Sequence, residues 1–366
     1  MKTPGQQSNA PSPRKGMPSP KLAEEEFKTR YLGQFEDPAF RGLDSELSKI
    51  AEVAWQAYAA SRKSPTTRKA GEGFTDPDYE LSVDWLTARD AIQAAQARHD
   101  APSKTPRILL VNASSRSEHT CPGEMSKSYR LVELSRDAIL GEGDFEIEIL
   151  DLSRLASEYG RKIHPCKACF STAAPLCHWP CSCYPNHSLG QTQDWMAEIY
   201  PMWVAAHGIM IVTPVNWYQV TSPLKLMMDR LVCADGGNPD PTATHGKHAD
   251  EAKAIEMAGW NYPRHLQGRL FSVVVHGDVD GVENVRRSIS DWLRFMKLAP
   301  AGPLAEVDRY IGYWKPYATS HLELDADKDI QNEVRNAART LAQAVNAQRQ
   351  GSFFIAGSDF AEPREK

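Results

Sequence analysis

Apolar and polar positions alternate between two rhythms from residue 106 to residue 345. Ile108–Val111, Ile209–Thr213 and Leu270–His276 are short continuous apolar runs, and 145–150 alternates in the period of two that marks a half-buried strand. Between them the spacing changes to three and four, which predicts helices over 125–139, 192–205, 223–232 and 282–296, with 330–345 closing the series. Short apolar strands alternating with helices predict an α/β fold, a parallel sheet layered between helices. In such sheets ligands sit beyond the carboxyl ends of the strands, near the point where strand order reverses. The loops after Val111, Thr213 and Val275 are therefore where chemistry is expected. Upstream, Leu47, Ile50, Ala54 and Tyr58 predict a helix over 43–58 with Asp44 as its N-cap, and Trp85, Ala88, Ile92 and Ala95 predict another over 82–98.

The chain has 366 residues, enough for two domains or for one with extensions. The expected division is a disordered, Pro-rich 1–20, a helical extension over 21–104, the α/β domain over 105–346 and a tail over 347–366. A net charge of −5 offers no clustered basic face and excludes nucleic acid as the expected partner. No apolar run reaches the roughly 18 residues of a membrane span, and the first residues lack the apolar stretch of a secretory signal. The expected location is the cytoplasm, where the seven cysteines stay reduced.

Three loops carry the candidate chemistry. After the first strand come Asn112-Ala-Ser-Ser-Arg-Ser117 and then Ser126-Lys-Ser128 at a helix start. Hydroxyls, backbone N–H groups and a helix N-terminus together suit a dianionic phosphate, and Arg116 and Lys127 add charge. Neither a P-loop nor a GxGxxG fingerprint occurs. After the second continuous run, Thr213-Pro214-Val-Asn-Trp217-Tyr218 leads to Ser222-Pro223, a helix start in which Ser222 is the expected cap. Lys225 and Asp229 lie one turn apart and are expected to pair. Pro214, Val215, Asn216, Trp217 and Tyr218 offer the aromatic walls and backbone groups that a flat heterocycle needs. After the third run, His276 is a candidate proton donor and Gly277 permits close backbone approach.

Two of these segments resemble one family. Ala113-Ser-Ser-Arg116 and Ser126-Lys-Ser-x-x-Leu131 stand where the NADPH-dependent FMN reductase and flavodoxin-like families place their phosphate segments, with Ala113 replacing the usual Gly and Lys127 a common Asn. Thr213-Pro214, the polar-aromatic loop, Ser222-x-x-Lys225 and Asp229-Arg230 are similar to their flavin-ring segment. The resemblance implies a flavodoxin-like fold, with Ser114, Arg116, Ser126 and Ser128 around the phosphate of FMN and Pro214 through Tyr218 against its ring. It implies a catalytic or ring-edge role for His276. It also implies NAD(P)H as co-substrate, a small-molecule or protein electron acceptor (a quinone, a flavin, a nitro or azo compound) and a homodimer or homotetramer. The alternative is an electron carrier of the flavodoxin or iron–sulfur flavoprotein kind, without a small-molecule substrate.

Cys166, Cys169, Cys177, Cys181 and Cys183 form a C-x₂-C-x₇-C-x₃-C-x-C run. Tetrathiolate sites hold iron–sulfur clusters or zinc. The spacing points to Cys166, Cys169, Cys177 and Cys181 as ligands, with Cys183 the alternate. Iron–sulfur, zinc and no metal all stay open from sequence, although iron–sulfur flavoproteins carry a similar compact run.

Overall fold

The computed structural model describes residues 14–16 and 21–354, apart from 103, 122, 278, 279 and 312–314. Most of the expected disordered N-terminus and the last part of the tail lie outside the described residues. Residues Arg14–Lys15 pair with Arg62–Ser64 in a short antiparallel ladder.

The core follows the predicted alternation. Its elements are β1 (Arg107–Asn112), α1 (Lys127–Leu140), β2 (Glu146–Asp151), α2 (Met196–Ala205), β3 (Gly208–Pro214), α3 (Ser222–Leu231), β4 (Leu270–Gly277), α4 (Val282–Phe295), β5 (Glu306–Tyr310) and α5 (Lys328–Arg349). The strands are parallel throughout, in the order β2-β1-β3-β4-β5, the flavodoxin-like arrangement. Ala299–Pro300 extends the β5 edge by pairing with the start of β4.

Side chains leave a strand on alternate faces, and here both faces are apolar. Leu109, Val111, Ile209, Ile211, Phe271, Val273 and Val275 pack with α2, α3 and α4. Ile108, Leu110, Met210, Val212, Leu270 and Val274 pack with α1 and α5. Each Leu, Ile or Val so buried contributes about 1.5–3 kcal/mol, and this double coverage is why the strands read as continuous apolar runs.

Ahead of the core stand the helices Glu24–Leu32, Asp44–Ala59 and Val83–Asp100. The last sends Ile92 and Ala95 into the core, and its Trp85 indole donates to the Pro180 carbonyl at 2.8 Å. Asp44 is not a cap: Leu43 holds that position and Asp44 lies in the first turn, where its charge favours the helix dipole. Ile50 is likewise exposed, and Ala51 and Tyr58 form the buried side of that helix.

Candidate cofactor site

β1 and β3 are neighbours, yet their outgoing helices pack on opposite faces of the sheet. Their loops therefore part and leave a crevice at the carboxyl edge. It holds a cavity of about 550 Å³ lined by residues of three loops: Ser114, Arg116, Lys127, Ser128, Pro214, Val215, Asn216, His276 and Gly277 among them. Ser115, Thr120, Cys121 and Ala156 also line it and were not anticipated.

The β1 loop is shaped by Asn112, whose amide donates to Asp151 at 2.7 Å while its carbonyl oxygen accepts from the Ser114 amide at 3.3 Å. Ala113 does not adopt positive φ, so the position has no conformational need for glycine. Its carbonyl accepts from the Thr221 hydroxyl at 2.6 Å, which ties the β1 loop to the start of α3. Thr221 also accepts from the Leu224 amide, so Thr221, not Ser222, caps α3, and Ser222 becomes its first residue. The sequence offers two adjacent hydroxyl residues there, and the one that can also reach Ala113 takes the cap. Lys225 pairs with Asp229 as expected.

At the other wall Ser126 caps α1, its hydroxyl accepting from the Tyr129 amide at 3.0 Å. Its side chain is thereby used in the fold and is not among the cavity lining. Lys127 is buried and donates to Ser320 at 2.8 Å, a contact from the segment after β5 that sequence reasoning missed. Ser128 and His276 Nε2 lie 2.8 Å apart. Arg116 donates to Glu124 at 2.9 Å and is partly exposed.

Burial, reinforced by the Lys127 charge, pushes the His276 imidazole down to about 3. The ring is therefore neutral near pH 7, and its place against Ser128 puts it at the hydroxyl-lined end of the cavity. Above about pH 6.5 the imidazole is neutral in both folded and unfolded chains. Between about 3 and that value only the unfolded chain takes the proton, so this residue's contribution to stability is lost as pH falls through the window. The expected result is that urea midpoints of the native chain and a His276→Gln variant draw closer at pH 5 than at pH 7. A gap independent of pH contradicts the neutral assignment.

Asn216 and Gln219 exchange both backbone hydrogen bonds, at 2.9 and 3.0 Å, so Trp217 and Tyr218 form a two-residue turn. Both have positive φ, 48° and 65°. Trp217 is 89% exposed and Tyr218 59%, and both stand outside the cavity lining. Gly277 lies in ordinary backbone; a Cβ there would meet the Val215 Cβ at 3.2 Å. Its bareness lets β4 close on the β3 loop, an arrangement fixed by the Val215 amide donating to the His276 carbonyl at 2.9 Å.

A second cavity of similar size lies between the Val83–Asp100 helix and residues 158–161 and 180–185. It is lined by Asp84, Glu158, Asp194 and Glu198, and Arg161 in its wall is bound to Glu158 and Glu198. That acidic lining is unsuited to a phosphate.

Converging hydroxyls, a buried lysine, an arginine and a helix N-terminus fit a phosphate monoester, and the Pro214–Asn216 and Gly277 backbone beside them fits the edge of a flat ring. The sequence profile of the NADPH-dependent FMN reductase family matches residues 106–305, the span that supplies every residue of this lining. The chain belongs to the NADPH-dependent FMN reductase family. A sequence comparison with curated proteins finds no match.

Among solved structures, this FMN reductase family member is similar to RosB with a bound 8-demethyl-8-formylriboflavin-5′-phosphate intermediate (11% identity, 72% of this chain and 95% of that one, TM-score 0.46). It is also similar to an oxidoreductase from Corynebacterium diphtheriae (12%, 67% and 98%, 0.38) and to an NADH:FMN oxidoreductase (14%, 66% and 90%, 0.37). Family membership makes the chain an FMN-dependent oxidoreductase in broad terms. Among the described residues no helix is long and apolar enough to cross a membrane.

The expected metal site is not assembled in this family member. Among the described residues no group of three or more His, Cys, Asp or Glu side chains is placed to hold a metal. Cys166 accepts from the Ala168 amide at 3.3 Å, while Cys169 lies 3.4 Å from Cys183 and 3.4 Å from Lys247 Nζ. The Cys183 hydrogen bond, aided by Lys247, draws the Cys169 thiol down to about 6. Burial holds Cys177 and Cys233 well above the ordinary thiol range, and Cys181 is raised by its bond to Cys183 and by burial. Clustered thiolates repel one another. Here the Lys247 ammonium stands beside Cys169.

Proposed function

We propose that the chain is an NAD(P)H oxidoreductase that binds FMN in the crevice between β1 and β3 and passes electrons to a small-molecule or protein acceptor. The observation that carries this reading is the convergence of a cationic, hydroxyl-rich cradle and a backbone shelf in one cavity of about 550 Å³, inside the span matched to the family. Held by these residues, FMN would supply the redox chemistry between a nicotinamide and the acceptor.

The chain's own residues bind and orient. Lys127, Arg116 and the hydroxyls of Ser114 and Ser128 would hold the phosphate through charge-assisted bonds. His276, neutral and hydrogen-bonded to Ser128, positions that hydroxyl and is poorly suited to deliver a proton at neutral pH. Pro214, Val215 and Asn216 would border the ring, and the exposed Trp217 and Tyr218 stand at the rim, where a nicotinamide or acceptor would enter. Steady-state NAD(P)H oxidation by FMN-loaded protein with quinone, azo and nitro acceptors tests the reading. Turnover that depends on acceptor supports it; bound flavin with no NAD(P)H oxidation favours the carrier alternative.

Positive φ at two bulky aromatics costs on the order of 1–3 kcal/mol each and is a position ordinarily filled by Asn or Gly. Strain kept at the mouth of a site points to use of those rings. Trp217→Gly is expected to raise stability by about 1 kcal/mol through relief of this strain while lowering NAD(P)H turnover. Urea unfolding and steady-state rates on the same preparation check both signs. Unchanged turnover removes Trp217 from the site.

A further inference from the structure

We propose that Glu124 sets how tightly the cradle holds a phosphate: its carboxylate offsets the charge of Arg116 and keeps the grip on the anion looser than the two lining cations would make it. The inference rests on the assignment of the crevice to FMN and concerns the regulation of that same site. Arg116 and Lys127 are the charged side chains of the cavity lining among the described residues. Glu124 stands outside that lining, yet it accepts from the Arg116 guanidinium at 2.9 Å, and its side chain is only 22% exposed. A phosphate monoester brings close to two negative charges. With Glu124 in place, two cations and one carboxylate leave a single net positive charge to meet them. The carboxylate repels the incoming dianion and shares the guanidinium with it.

The backbone builds this contact. The Ser117 carbonyl accepts from the Thr120 amide at 3.1 Å, from the Thr120 hydroxyl at 2.7 Å and from the Glu124 amide at 3.3 Å. The Thr120 hydroxyl in turn accepts from the Ser117 amide at 3.2 Å. One carbonyl thus gathers both ends of the loop and delivers Glu124 beside Arg116. Gly123 belongs to the same closure: a Cβ there would come within 2.7 Å of the Glu118 carbonyl oxygen, so any other residue would push the strands of the loop apart. Thr120 and Cys121 line the cavity, so the loop that carries Glu124 is also part of its wall. Replacing Glu124 with Gln leaves a carbonyl oxygen for Arg116 and removes only the charge.

The test compares the full-length native chain with Glu124→Gln, by fluorescence titration with FMN and with riboflavin and by calorimetric titration with inorganic phosphate. The Kd for FMN is expected to fall about tenfold in the variant, the order of effect of one partly screened charge on a nearby dianion. The riboflavin constant should stay where it was, and inorganic phosphate should follow FMN. Salt at roughly 0.5 M is expected to narrow the gap between the two proteins, because it screens the charge; a mere loosening of the loop would not respond in this way. A variant that binds FMN no better than the native chain, or less tightly, overturns the proposal, since Glu124 would then orient Arg116 rather than offset it. The two readings fail separately. Phosphate bound more tightly by the variant, with flavin bound by neither protein, would overturn the assignment to FMN and leave the charge offset standing. Flavin bound at one per chain, with a constant that the variant does not improve, would do the reverse.

Discussion

FMN affinity is expected to fall by about 1.5–3 kcal/mol when Lys127 is replaced by Met, the range for hydrogen bonds to charged groups, or roughly ten- to more than a hundredfold in Kd. Lys127 is buried at the first turn of α1, so its charge is poorly screened, and Met keeps most of its length and packing. Arg116→Ala is expected to have the smaller effect. Its guanidinium is partly exposed and already engaged by Glu124, and water replaces much of what is removed. Riboflavin, which lacks the phosphate, supplies the control: its affinity should barely change in either variant. Flavin fluorescence titrations give all these constants. Equal losses for FMN and riboflavin would mean that the variant disturbs the ring pocket or the fold, and an unchanged FMN constant would remove Lys127 from the cradle.

The largest loss of stability is expected on replacing Asp194 with Ala, about 3–5 kcal/mol. Asp194 and Arg230 are almost wholly enclosed, with side-chain exposures of 8% and 1%, and they meet through two contacts of 2.5 and 3.0 Å. Arg230 also donates to the His164 carbonyl at 2.9 Å and lies over the Tyr184 ring. The pair thus fastens the long segment between β2 and α2 to the end of α3. Truncating Asp194 strands a guanidinium without its counter-charge, which is what makes the loss large. Replacing both partners, Asp194→Leu with Arg230→Met, is expected to recover much of it, because no buried charge then remains. Urea unfolding monitored by tryptophan fluorescence measures both. A single-variant loss below about 1 kcal/mol, the level of an exposed pair, contradicts this account.

The parallel core was legible because β1, β3 and β4 are buried on both faces and so appear as unbroken apolar runs. β5 escaped notice for the opposite reason. It lies at the sheet edge, and Glu306-Val-Asp-Arg-Tyr310 places only Val307 in the core. The helix Ala249–Met257 buries a single side chain, Ala252, and offers no stripe to read. In the site, loop order pointed to the loops that border the crevice, but not to which of their residues line it or which hydroxyls the fold would claim for itself. Ser126 and Thr221 cap helices, a choice decided by reach in three dimensions. Ser320 comes from nearly two hundred residues downstream of Lys127, and no local signal announces it. Cysteine spacing does not show where the side chains converge, and Lys247, which stands 3.4 Å from the Cys169 sulfur, comes from a distant turn that spacing does not reveal.

Anaerobic addition of NADPH, then of NADH, to the FMN-loaded protein, read by the blue absorption band of the bound flavin, shows whether this crevice takes electrons from a nicotinamide. At least one nicotinamide is expected to bleach that band, and the Lys127→Met variant, refilled with FMN at concentrations above its weakened Kd, is expected to do the same once occupied. A bound flavin whose band persists with both nucleotides, in protein shown to hold it at one per chain, would contradict the assignment of this crevice to NAD(P)H oxidation.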